Sequence, residues 1–198
     1  MTVTTKLQGE SLESILAGHL EAYRATFGPE NVKGLDQMAG EIARTFQRGA
    51  KILLCGNGGS AADAQHIAAE FIGRFKQERK SLAAIALTTD TSVLTSLAND
   101  YSYEQVFSRQ VEGIGQEGDI LIALSTSGDS KNVIEAAKKA KEMGLRVFGF
   151  TGKSGGELKK IADLHFAAGS FKTPHVQEMH ITALHALSEV VEDLLFPL

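Results

Sequence analysis

Apolar residues in the first fifty positions recur at helical spacing. Leu12, Ile15, Leu16, Leu20 and Tyr23, with His19 among them, fall three and four apart and predict one helix. Gly28-Pro29-Glu30-Asn31 breaks that pattern, and Leu35, Met38, Ile42, Ala43 and Phe46 predict a second helix beyond it. From residue 51 the pattern changes to short continuous apolar runs, each closed by a turn and followed by a helical stretch. The runs are Lys51–Cys55, Ala83–Leu87, Asp119–Leu124, Arg146–Phe150 and, more weakly, Leu164–Ala167. Strands that are apolar at nearly every position and alternate with helices imply a five-stranded parallel sheet covered on both faces, an α/β fold. The clearest intervening helix spans Asn132–Met143, and a last one runs from about Gln177 to Leu195, with Pro197 just beyond. No linker or low-complexity tract interrupts this order. The chain therefore reads as a single domain over 1–198, with a helical segment at 1–50 and an α/β core plus C-terminal helix at 51–198. Apolar helices placed ahead of a sheet suit packing against another subunit.

Composition narrows the class. With 43% hydrophobic and 22% charged residues in 198, the chain has the balance of an ordinary globular domain. No apolar run approaches the roughly 20 residues that span a bilayer, and Met1-Thr2-Val3-Thr4-Thr5-Lys6 lacks the apolar core of a signal peptide. A cytoplasmic protein without membrane contact is expected. Cys55, the single cysteine, forms no intrachain disulfide and reads as a buried apolar filler at a strand end. The net charge of −4 argues against direct nucleic-acid binding. The one basic cluster, Lys76, Arg79 and Lys80 around Glu78 after Arg74, reads as a solvated helix end.

Chemistry gathers at the turns that follow the strands, the edge where open parallel sheets bind ligands. Ser125, Thr126, Ser127 and Ser130 place four hydroxyls on one strand-to-helix turn, and Gly128 lets the backbone curl. Free amides at the start of the next helix complete a phosphate cradle that contains no Lys or Arg. Helix capping would need only one of those hydroxyls. Gly56-Asn57-Gly58-Gly59-Ser60-Ala61 fits a dinucleotide fingerprint loosely, but its acidic candidate, Asp90, lies about 30 residues on instead of ~20. Asn57 and Ser60 suit a sugar better. His66 and Glu70, four apart, share one helix face that Arg74 continues, with Ile67 and Phe71 turned to the core. Such a pair fits either a divalent metal or a salt bridge. On the last helix Gln177 and His185 are about 12 Å apart along the axis, long for ligands of one ion, so His180 is a rival to His185.

Taken together, Gly56-Asn57-Gly58-Gly59-Ser60 with His66 and Glu70, Asn99-Asp100-Tyr101, Ser125-Thr126-Ser127-Gly128, and Gln177-Glu178 with His180 and His185 resemble the bacterial phosphoheptose isomerases. The motifs keep their order over nearly the whole chain. The resemblance implies the sugar isomerase (SIS) fold, a three-layer αβα sandwich, and conversion of sedoheptulose 7-phosphate to D-glycero-D-manno-heptose 7-phosphate for lipopolysaccharide core heptose. It also implies a homotetramer with sites near subunit boundaries and a zinc ion. By position, Ser125, Thr126, Ser127 and Ser130 hold the phosphate. Asn57, Gly58, Gly59, Asn99 and Asp100 line the sugar site, with Glu70 and Gln177 also contacting substrate. His66, Glu70, Gln177 and His185 are the zinc positions, Glu70 is the base and His185 the acid. Pro174 stands where some relatives have an acidic residue, which leaves Thr173 or His175 to supply any polar role there. A non-catalytic relative of the same fold binds the DnaA replication initiator, and its family lacks the pair matching Glu70 and His185.

Overall fold

The computed structural model describes residues 10–197. The polar stretch Met1–Lys6, read above for targeting, lies outside them. Two helices, α1 (Leu12–Thr26) and α2 (Pro29–Gln47), precede five strands: β1 (Ile52–Cys55), β2 (Ala84–Ala86), β3 (Ile120–Ser125), β4 (Arg146–Thr151) and β5 (Leu164–Ala167). Between the strands lie α3 (Gly59–Ile72), α4 (Thr91–Asp100), α5 (Ser108–Ile114), α6 (Lys131–Glu142) and the short α7 (Leu158–Ile161), and α8 (Thr173–Leu195) closes the chain. All four strand pairings are parallel, in the order β2-β1-β3-β4-β5. This is the parallel sheet that the continuous apolar runs require.

Alternate residues of each strand feed opposite faces. Ile52, Leu54, Ile120, Ile122, Phe148 and Phe150 pack under α2, α3 and α8, whereas Leu53, Cys55, Leu121, Ala123 and Val147 pack under α5 and α6. A wholly buried Leu, Ile or Phe contributes about 1.5–3 kcal/mol, so these two layers dominate the folding energy. Cys55 is fully buried and free, and burial pushes its thiol up to about 12. Among the described residues no helix is long and apolar enough to cross a membrane.

Two helices begin earlier than expected, each with a proline in its first turn. Pro29 opens α2, with Gly28 as its N-cap, and Pro174 sits in the first turn of α8, which begins four residues before Gln177. Proline is well tolerated in a first turn, where its missing N–H has no helical partner. The basic cluster also differs. Arg74, Lys76 and Lys80 are exposed as expected, but the Arg79 side chain is buried against Glu192. On α1, Leu12, Leu16, Leu20 and Tyr23 face outward, while Ala22 and Thr26 face the molecule.

Candidate active site

The strand order reverses direction between β1 and β3, which leaves a crevice at their C-terminal ends. The glycine turn after β1 and the hydroxyl turn after β3 flank it. An amide pair bridges the two turns: Asn57 and Asn132 exchange reciprocal side-chain hydrogen bonds, both 2.9 Å. The Tyr103 hydroxyl donates to Asn57 Oδ1 at 3.1 Å, which ties the chain just past α4 to the same point. Asn132 and Tyr103 were not singled out from sequence. An Asn in a first helical turn and an isolated Tyr carry no pattern of their own.

The hydroxyl turn is organised from within. Ser125 Oγ accepts from the amides of Gly128 (3.2 Å) and Ser130 (3.3 Å) and donates to Ser130 Oγ at 2.9 Å. Ser127 Oγ accepts from the Asp129 amide at 3.1 Å. Gly128 has φ +79°, and a Cβ there would lie 2.2 Å from the Gly155 carbonyl oxygen. Only glycine fits. Ser130 is the N-cap of α6, yet its hydroxyl caps no amide. Capping therefore does not account for the Ser130 hydroxyl, and although the Val133 amide is taken by Asn132 Oδ1 at 3.0 Å, a helix start of this kind suits an anion. Thr126 is half-buried and Ser127 exposed, at the mouth of the turn.

Asp90 accepts the Val93 amide at 3.0 Å and is the N-cap of α4. That role removes the acidic group a dinucleotide reading needs. Asn99 and Asp100, at the end of α4, are exposed and bonded to each other at 2.8 Å. Gly58 and Gly59 begin α3, and a Cβ on Gly59 would fall 2.6–2.7 Å from the Gln177 amide. Glycine is thus what lets Gln177 approach the turn. Gln177 meets the start of α3, two helical turns from His185.

His66, Glu70 and His185 come together. His66 Nε2 stands 2.9 Å from His185 Nε2 and 3.4 Å from Glu70 Oε1. One ligand atom from each of the three lies within 4.8 Å of the others. The side chains of His66 and Glu70 are 51% and 23% exposed, so the cluster opens to the surface of the single chain. Phe75 stacks on the His185 ring, centroids 5.7 Å apart and planes 28° apart. The rival His180 is fully buried: its Nε2 meets the Thr151 carbonyl at 3.0 Å, and it lies edge-on to Phe150 and Phe166. Burial pushes its imidazole down to about 4, against the opposing pull of that hydrogen bond. His180 is a core histidine. His175 is buried against His19 of α1, with Ser170 Oγ 3.4 Å from its Nδ1, whereas Thr173 is exposed beside Pro174. Asp63, one turn before His66, was also missed. Its Oδ2 is buried without a hydrogen-bond partner among the described residues, and burial pushes the carboxyl up to about 6, partly offset by His66.

The sequence model of the SIS domain family matches residues 18–152. The phosphoheptose isomerase of Campylobacter concisus is 50% identical over 184 residues, 92% of this chain and 97% of that protein. The chain belongs to the phosphoheptose isomerase family of SIS-domain proteins. Solved structures agree with the sequences. The family member from Neisseria gonorrhoeae superposes with a TM-score of 0.83 at 41% identity, covering 92% of this chain and 100% of that one. The Francisella tularensis phosphoheptose isomerase superposes at 0.85 and 32% identity, covering 93% and 100%.

Proposed function

We propose that this chain is an aldose–ketose isomerase that converts sedoheptulose 7-phosphate to D-glycero-D-manno-heptose 7-phosphate, toward the heptose of lipopolysaccharide core. The observation that carries the reading is the meeting of Glu70 and His185, from α3 and α8, in one cluster with His66. Relatives named phosphoheptose isomerase at about half identity supply the substrate. The reaction moves one proton between adjacent carbons. The Glu70 carboxylate takes the proton from C1 of the ketose and returns it to C2, while His185 gives a proton to the C2 oxygen and recovers one from the C1 hydroxyl, which becomes the aldehyde oxygen. Composition is unchanged, and an enediol lies between the two forms. The hydroxyl turn anchors the phosphate, and Asn57, Gly58, Gly59, Asn99 and Asp100 line the sugar.

Two imidazole nitrogens and a carboxylate oxygen this close together are a donor set suited to zinc. His66, Glu70 and His185 would hold the ion, with Gln177 as the fourth candidate. When bound, it would polarise the substrate oxygens and favour the enediolate. Ligation and base catalysis draw on the same Glu70 carboxylate. The outward apolar ridge of α1 and the surface position of the cluster support a homotetramer with sites at subunit boundaries.

Incubation of the purified protein with sedoheptulose 7-phosphate, with and without added zinc, should yield the aldose. Glu70→Gln should bind the sugar phosphate and lose about 10²–10⁴ in turnover. Undiminished turnover removes Glu70 from the mechanism. A pull-down with DnaA should recover nothing, because the acid–base pair absent from the DnaA-binding relatives is assembled here.

A further inference from the structure

The eleven-residue connection from α3 to β2, residues 73–83, is fastened to α8 by a buried ion pair. Glu192 accepts the amides of Phe75 (3.0 Å), Lys76 (2.7 Å) and Gln77 (2.7 Å), together with Arg79 Nε at 2.8 Å. The two side chains are 2% and 1% exposed. Burial alone would raise the Glu192 carboxyl, but these donors outweigh it and hold it below the usual range. From its other end Arg79 reaches back to α3. Nη2 donates to the Glu70 carbonyl at 2.8 Å, and Nη1 donates to the carbonyls of Phe71 (2.9 Å), Lys80 (3.1 Å) and Gly73 (3.3 Å). Those of Glu70 and Phe71 are last-turn carbonyls that the helix itself leaves without partners.

Two outer contacts repeat the attachment: Lys76 pairs with Glu189, and Gln77 Nε2 donates to Asp193 at 2.8 Å. His185, Glu189, Glu192 and Asp193 are spaced to share one face of α8. The connection therefore lies along the very face that carries His185, and Phe75 sits with its ring stacked on that imidazole. A buried ion pair is a poor means of gaining stability, because desolvation offsets most of its attraction. What this one secures is geometry, namely the spacing of Glu70 from His185 and the seat of Phe75.

We infer that Phe75, anchored by the Arg79–Glu192 pair, is a positioning residue for His185. Its ring lies against one face of the imidazole, limits its rotation and keeps water from that face. Arg79 at the same time holds the turn of α3 that bears Glu70. The inference rests on the isomerase reading for its kinetic consequence and on the stacked rings alone for its structural one.

Removing one member of the buried pair strands the other and can unfold the chain, so the test uses Phe75→Ala, Phe75→Leu and Phe75→Tyr, which leave the pair intact. Steady-state kinetics with sedoheptulose 7-phosphate should show kcat about tenfold lower in Phe75→Ala, with KM within about twofold, since misplacing a reacting group costs rate more than binding. Phe75→Tyr should restore most of the loss, and Phe75→Leu less. In NMR spectra of the unliganded protein, the His185 ring protons should lose the ring-current shift in Phe75→Ala and Phe75→Leu and keep it in Phe75→Tyr. A folded Phe75→Ala protein with kcat within twofold of the parent overturns the positioning role, as do unchanged His185 resonances. If the parent chain fails to turn over the sugar, the function is wrong, and the NMR comparison still decides the role of Phe75.

Discussion

The hydroxyl turn and the histidine–carboxylate cluster meet opposite demands. The turn is made by six consecutive residues, and Ser125 inside it is almost fully buried and bonded to two amides and a second hydroxyl. The cluster joins side chains from two helices, and His66 and His185 are 119 positions apart in sequence. Its members are partly exposed, and the two imidazoles meet at 2.9 Å, where one ring donates and the other accepts. The turn is thus part of the hydrogen bonding that holds the fold, whereas the cluster rests on the fold and is left free for chemistry. Substitutions in the turn should register in stability and substrate affinity. Those in the cluster should register in turnover.

The strongest test of that division is Gly128→Ala. Positive φ and a backbone oxygen 2.2 Å from the new methyl act together, and the loss expected in urea denaturation is about 2–4 kcal/mol. A loss below about 1 kcal/mol would mean that the loops of Gly128 and Gly155 yield easily and that the turn is not rigid. Ser125→Ala should come next. It leaves the Ser130 amide without its acceptor, while the Gly128 amide keeps the Ser125 carbonyl at 3.0 Å, for about 1–2 kcal/mol, and KM for the sugar phosphate should rise more than kcat falls. The reverse split would move Ser125 from anchoring to chemistry. His66→Gln should have the smallest effect on folding, within about 0.5 kcal/mol for a half-exposed side chain, while kcat drops at least about tenfold. If its denaturation midpoint falls as far as that of Ser125→Ala, the two regions are not separable.

The same contrast governs what could be read before the fold was known. The hydroxyl turn was visible because its residues are contiguous and follow an apolar run. His66 and Glu70 were visible because helical spacing places them together. The choice between His185 and His180 was not, since five residues of one helix leave open which side meets α3. The packed helices decide it, with His180 turned into Phe150 and Phe166 and His185 toward His66. Arg79 was misjudged for a related reason. A basic run looks solvated until a carboxylate 113 residues away is brought beneath it. The parallel sheet and its two buried faces followed from apolar continuity, which is a local property, whereas the strand order did not. The outward turn of Leu12, Leu16 and Leu20 did not, because helical spacing defines a stripe without saying what covers it.

Cys55 offers a way to time motions of the sheet. Its sulfur lies at the end of a strand flanked on both sides, beneath α5 and α6, and no second thiol exists anywhere in the chain. Alkylation must therefore wait for the layer above to lift, so the labelling rate per chain reads out how often the centre of the molecule opens. Loss of activity on treatment with a thiol reagent would, by the same logic, signify collapse of the architecture and not an attack on the reacting groups.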